Sequence, residues 1–320
     1  MKKKALFIIS IIISLLLTLC TPEKPKIMKA ELILDAKATL GEGAIWNQKE
    51  KMLYWIDIEK GILHEFNPVS AEDKLFNLDK RIGTVVPSEK GGLLVALEDG
   101  IYHYNIITDS ISFIVNPDEN SSEIRFNDGK CDPAGRLWAG TMSLTGKRGA
   151  GALYCLNNNG DIEKKIDSVS ISNGIAWSPD NKNMYYIDTP TGKVKEYSYD
   201  KTTGKISFTR DAVIIPPGMG YPDGMTIDSK GNLWIALWSG SAVGCWDPNS
   251  GELINKIDVP VLNVTSCAFG GENLETLFIT TASQGIPQDE LEKYPYRGGL
   301  FKANPGVKGV PAYFYKGSKY

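Results

Sequence analysis

The chain has 320 residues, 42% apolar and 23% charged, with 35 basic against 38 acidic side chains and a formal net charge of −3. That balance excludes a disordered polypeptide, and without a basic stripe interleaved with aromatics it gives nucleic-acid binding no support. Length alone admits one large domain or two ordinary ones.

Lys2, Lys3 and Lys4 precede an apolar run from Ala5 to Cys20, ALFIISIIISLLLTLC. A positive start followed by roughly 15 apolar residues is export-signal chemistry, whereas about 20 are needed to span a bilayer comfortably. The cysteine that closes the run, followed by TPEKPK, resembles a bacterial lipoprotein signal, although Leu19 is larger than the Gly, Ala or Ser usual before such a cysteine. The chain is therefore read as an export signal over 1–20 with lipidation at Cys20, then a polar linker over 21–29. This places it outside the cytoplasm, with membrane contact only through that anchor; an uncleaved anchor or soluble secretion are the alternatives.

From Ala30 onward, helical periodicity is scarce and short apolar stretches bounded by Gly, Pro, Asn and Asp recur, which predicts an all-β chain. AELILD (Ala30 to Asp35) is the first of them. KMLYWIDI, GGLLVALE, GRLWAGTM, NMYYIDTP, GNLWIALW and ETLFITTA follow, with first apolar residues Leu53, Leu93, Leu137, Met184, Leu233 and Leu277 at intervals of 40, 44, 47, 49 and 44 residues. Six units of about 45 residues suit blades of about four short strands. Residues 30–320 are read as one six-bladed β-propeller, closed by AELILD joining the last blade beside GGLFKANP. Cys131, Cys155, Cys245 and Cys267 are dispersed, with no C-x-x-C pair. An even number permits disulfides in an oxidising compartment. A domain of this size does not need them, so free, mostly buried thiols are expected.

Ten or eleven residues before each anchor lie Glu42, Gly83, Asn127, Asn173, Asp223 and Ser266. In a propeller the strand preceding the first hairpin of each blade lines the central channel, so these positions form a ring at one mouth. Glu42, Asp223, Asn127 and Asn173 converge there as oxygen donors. Such donors suit Ca²⁺ foremost and Mg²⁺, with Zn²⁺ or Mn²⁺ possible at an open site. The bland alternative is that these Asn and Asp residues only satisfy turn backbone groups. Matched register at four positions argues against it.

Other chemistries lack residues. The two histidines, His64 and His103, lie in alternating strand-like segments away from the ring, and no nucleophile elbow, P-loop or dinucleotide loop occurs. Trp138, Trp234 and Trp238 are read as blade packing rather than a stacking platform.

LGEGAIWN (Leu40 to Asn47), RFNDGKCDPAGRLWAGTM (Arg125 to Met142), SNGIAWSPD (Ser172 to Asp180), YPDGMTID and TSCAFGGENLETLFITTA resemble the signature segments of the SMP-30/regucalcin/gluconolactonase family, from about Leu34 to Tyr315. The resemblance implies a six-bladed propeller holding one divalent cation and hydrolysing lactones. It further implies metal ligands at Glu42, Asn173 and Asp223, and substrate-binding side chains at Arg125 and Asn127. Two positions depart from the family pattern. Ala44 stands where proline is usual, and the loop after AGTM reads SLTGKRGAG, with none of the acid that animal sugar lactonases use to bind substrate there.

The expected activity is opening of a small lactone by water activated at the cation, with Asp223 as general base, or Asp128 if Asp223 is a ligand only. Arg125 and Asn127 would orient substrate oxygens. The rival functions are a phosphotriesterase-type hydrolase on the same propeller and a non-enzymatic Ca²⁺-binding surface propeller.

Overall fold

The computed structural model describes residues 25–119 and 122–317; the expected signal over 1–20, with Cys20, lies outside the described residues. There are six sheets, five of them four-stranded and the fifth blade's five-stranded; four are built from sequential strands alone, and the fifth and sixth each add one strand from the start of the described chain. The innermost strands are Gly41–Asn47, Ile82–Pro87, Ile124–Cys131, Ser172–Trp177, Tyr221–Ile227 and Asn263–Gly270. Each contacts the next around the ring, and the sixth contacts the first. This is the six-bladed propeller.

Closure occurs where the sequence places it. Glu31–Leu34 pairs antiparallel with Leu300–Ala303, putting Leu32 opposite Phe301 in the last blade. The linker read over 21–29 is corrected in part: Lys26–Lys29 is a strand, parallel to Leu253–Asp258 on the outer edge of the fifth blade. A bare sheet edge offers unpaired backbone groups, and Met28 packs against that blade's apolar cluster. The lysines flanking Met28 make this short strand read as linker.

Every anchor pairs with a residue of its inner strand: Leu53 with Trp46, Leu93 with Pro87, Leu137 with Cys131, Met184 with Trp177, Leu233 with Ile227 and Leu277 with Phe269. Four residues before those partners come Glu42, Gly83, Asn127, Asn173, Asp223 and Thr265. The sixth position is therefore Thr265, not Ser266. Seven residues separate Phe269 from Leu277, against six between Trp177 and Met184 and five between Ile227 and Leu233, so a fixed count overshoots in the last blade. Five ring positions sit inside a register shift of their strand pair, and Glu42 borders one. A bulge of this kind re-aims a side chain that a regular ladder would commit to one face.

The inner strands approach one another closely. A Cβ on Gly174 would lie 2.7 Å from the Asp223 carbonyl oxygen, and one on Gly224 2.6 Å from Ser266 Oγ. A glycine directly after the ring residue lets the next strand come in, which is why Asp223 is followed by Gly224.

At the opposite end of the inner strands, D-x-x-G turns anchor tryptophans. Asp132 Oδ2 accepts from Trp138 Nε1 (2.9 Å) and Arg136 Nε (2.6 Å). Asp228 Oδ2 accepts from Trp234 Nε1 (3.0 Å), while its Oδ1 accepts the backbone N–H groups of Lys230 and Asn232. Both carboxylates are essentially inaccessible to solvent. At this end the C-terminal segment runs across the channel and touches a turn of every blade. Its backbone bonds reach Ser229, Leu274, Pro87, Glu89 and Gly135, while Gln48 donates to Ala312 O and Tyr313 to Asn181. Beneath it remains a cavity of about 60 Å³.

The four described cysteines are free and buried, as expected. His64 pairs with Asp73 (2.8 Å) and stacks on Trp55 within the first blade.

Replacing Asp228 with Ala leaves one indole, two backbone donors and the Asn232 side-chain amide without their acceptor. It is expected to lower stability by about 3 kcal/mol, with Asp228→Asn losing less because one acceptor oxygen remains. The urea midpoint of each variant checks this, and a native midpoint for Asp228→Ala would remove the turn's structural role.

Candidate metal and active site

Glu42, Asn127, Asn173 and Asp223 meet at one mouth of the channel, in a cavity of about 520 Å³ that Arg125 also lines. They come from four blades. All five side chains are buried, none more than 7% exposed.

Two of them are carboxyls close enough to compete for one proton. Burial, then the neighbouring Asp128, pushes the Glu42 carboxyl up to about 8. Burial, Glu42 and Asp128 together hold Asp223 well above the usual carboxylate range. Withdrawing two like charges from water favours their neutral forms unless a cation compensates. Asp128 is itself raised by burial; Lys130 and the Gly129 N–H pull the other way. The Lys130 ammonium donates across the channel to the Met225 carbonyl in the fifth blade's inner strand.

Asn173 supplies the third donor. Its Nδ2 donates to Thr189 Oγ1 (2.9 Å), and that hydroxyl donates to the carbonyl of Pro222 (2.8 Å), the residue before Asp223. This chain turns the amide so that Oδ1 faces away from Thr189. Oδ1 is buried and has no hydrogen-bond partner. Buried polar atoms are rarely left so. Two carboxylates and one unpartnered amide oxygen fit a hard divalent cation. Among the described residues no group of three or more His, Cys, Asp or Glu side chains could hold a metal, because the third donor here is an amide.

Arg125 and Asn127 act as a pair. The guanidinium Nη1 donates to Asn127 Oδ1 (2.8 Å) and to the Phe126 carbonyl (2.9 Å), and Asn127 Nδ2 donates to the Ser172 carbonyl (2.7 Å). Burial holds the Arg125 guanidinium below its ordinary range.

An SMP-30/gluconolactonase/LRE-like region spans residues 40–283. The chain belongs to that family. A Bacillus subtilis relative named "putative sugar lactone lactonase YvrE" is 42% identical over 89% of this chain and 98% of its own length. Zebrafish (Danio rerio) regucalcin is 36% identical over 91% of this chain and 99% of its own length. Among solved structures, a regucalcin described as a calcium-binding protein from Agrobacterium tumefaciens superimposes with a TM-score of 0.86 at 26% identity, covering 91% of this chain and 99% of that one. A luciferin-regenerating enzyme matches with a TM-score of 0.83 at 33% identity, over 90% and 99% of the two chains.

Several residues of this family member's cavity are not legible as site residues in the sequence. Thr189 holds the Asn173 amide, and the only signal for it is its place directly after the strand paired with the ring strand. Trp138 and Trp234 are blade packing, as expected, but Trp238 lines the cavity mouth, as do Tyr221, Gln284 and Arg148. Trp238 is thereby corrected: it ends its strand next to the mouth instead of inside the blade.

Because the Glu42 and Asp223 carboxyls bind protons more readily folded than unfolded, the cation-free protein takes up protons on folding. Glu42's contribution to stability is lost as pH rises from about 4.5 through about 8. Chelator-treated protein should show a falling Tm across that window. Added Ca²⁺ should raise Tm more at pH 8 than at pH 5, where it must displace protons. Equal gains at both pH values would argue against this carboxyl pair as the site.

Proposed function

We propose that the protein is a metal-dependent lactonase that opens a small, sugar-derived lactone by attack of water. The unpartnered Asn173 oxygen beside two buried, proton-competing carboxyls carries this reading, supported by the family and by the lactonase name of the Bacillus relative. Glu42, Asn173 and Asp223 would hold the cation, with Ca²⁺ first among the candidates and Mg²⁺, Zn²⁺ and Mn²⁺ behind it. When bound, a divalent ion supplies Lewis-acid polarisation of the acyl oxygen and makes a nearby water more acidic.

The chain's own residues do the rest. Asp223, a carboxylate once the proton shared with Glu42 is displaced, would take the proton of the attacking water. The acyl–oxygen bond of the ring breaks, and the proton passes to the departing alkoxide to give the hydroxy acid. Arg125, fixed by Phe126 and Asn127, presents a rigid cationic donor to substrate oxygens. Asn127 holds that donor in place and is itself tied to the next blade through Ser172. A cavity bearing arginines suits polar oxygen-rich substrates better than apolar phosphotriesters. A panel of aldonolactones and a phosphotriester, assayed with cation-stripped and reloaded protein, separates lactonase, phosphotriesterase and non-catalytic binding.

Two variants divide binding from chemistry. Asp223→Asn at saturating cation should lose roughly 10²–10⁴-fold in kcat. Arg125→Ala should raise KM and leave cation affinity near native. Native turnover by cation-saturated Asp223→Asn would make Asp223 a ligand only and move the base to Asp128.

The N-terminal motif supports an extracytoplasmic lipoprotein. Cys20→Ala should shift the protein from the membrane to the soluble fraction with its urea midpoint unchanged; unaltered fractionation would leave the apolar run as the anchor.

A further inference from the structure

The loop in which this chain lacks the family's acid carries a base that reaches the cavity. Residues 144–150 connect two strands of the third blade, Leu137–Ser143 and Gly151–Leu156. The loop is pinned at both ends: Leu144 N donates to the Glu123 carbonyl (2.7 Å) and Gly149 N to Ser170 Oγ (3.1 Å). Arg148 lies next to the second of these anchors and lines the cavity.

Arg148 differs from every other arginine of the chain. Arg81 pairs with Glu59 and Glu98, Arg136 with Asp132, and Arg210 with Glu196. Arg125 is bound to Phe126 and Asn127, and Arg297 to the carbonyls of Leu291 and Tyr294. Arg148 has no hydrogen bond, ion pair or ring contact among the described residues. The residue is exposed at the cavity rim, and a guanidinium there without a protein anion is available for a ligand's anion, which its planar fork can engage with two donors.

The charge of the cavity points the same way. Among the described residues its acidic lining side chains are Glu42 and Asp223, and its basic ones Arg125 and Arg148. With a divalent cation bound, two carboxylates cancel it, and of the lining side chains the two guanidiniums are left charged. The chain as a whole carries −3. A positive mouth on an acidic protein attracts anions that the remaining surface repels.

Resting on the lactonase reading, we infer that the preferred substrate is an anionic lactone, a sugar lactone bearing a carboxylate or phosphate that Arg148 engages while Arg125 serves the ring oxygens. Arg148 is thus a specificity residue. Hydrolysis of such a lactone gives a product with one more negative charge than the substrate, since the opened ester becomes a second acid group.

The test compares three 1,5-lactones of one sugar ring: the uncharged aldonolactone, its 6-carboxylate and its 6-phosphate. Each is assayed with cation-loaded wild type, Arg148→Gln and Arg148→Lys. In wild type, at least one anionic lactone should exceed the neutral one in kcat/KM, and the better of the two identifies the group. Arg148→Gln should lower the anionic-to-neutral ratio roughly 10–100-fold, the worth of a charge-assisted hydrogen bond, chiefly through KM. Arg148→Lys should fall between, and added salt should erode the ratio. A wild-type preference for the neutral lactone, or a ratio unchanged in Arg148→Gln, overturns the inference. If none of the three lactones turns over, calorimetry with the ring-opened acids divides the two readings. Arg148-dependent binding of the ring-opened 6-carboxylate or 6-phosphate acid would then overturn the lactonase reading alone, and its absence would overturn both.

Discussion

Six strands crowd around one axis, and the rest of the molecule follows from that crowding. Where Gly174 and Gly224 lie, the adjacent strand leaves no room for a Cβ. Each inner strand can therefore offer the mouth of the channel little more than one side chain, re-aimed there by a local register shift. Blades one and five both offer carboxylates. Brought together and buried, they cannot both remain charged without compensation, and this conflict is what a divalent cation would relieve. Thr189 adds to it by taking the Asn173 amide N–H, which leaves the amide oxygen free for the same ion.

The two ends of the channel are treated oppositely. At the far end buried aspartates are fully occupied by indole and backbone donors, and the C-terminal segment lies over them, so the charges there are structural and silent. At the near end the polar atoms are under-used: a paired carboxyl set, an orphan amide oxygen and an unpartnered guanidinium. Satisfaction at one end and its absence at the other distinguish scaffold from site within the same repeated unit. With the C-terminal segment across the far mouth, the candidate site lies at the near one.

Both departures from a regular repeat have physical causes. The last blade's longer turn moves its ring position from Ser266 to Thr265, whose hydroxyl donates to the Gly41 carbonyl (2.5 Å) and so ties the sixth blade to the first. On the rim, the acid expected of related lactonases is absent and a base from the same loop reaches the cavity. That exchange reverses the charge the loop brings to the cavity and leaves Glu42, Asn173 and Asp223 untouched.

The number of blades, their closure by Glu31–Leu34 and the meeting of Glu42, Asn127, Asn173 and Asp223 were legible in the sequence. Strand period, turn residues and anchor spacing are local properties that repeat, and a closed ring turns equal spacing into a shared position in space. Arg125 was legible only through resemblance to relatives. Thr189, Trp238 and Arg148 were not legible as site residues at all. They reach the cavity from a strand end, a rim and a loop, whose directions are set by packing against neighbouring blades and not by any period in the chain. The strand at Lys26–Lys29 was hidden for the same reason: its partner is an edge more than two hundred residues away, and only the folded sheet supplies the backbone groups that make those four residues a strand.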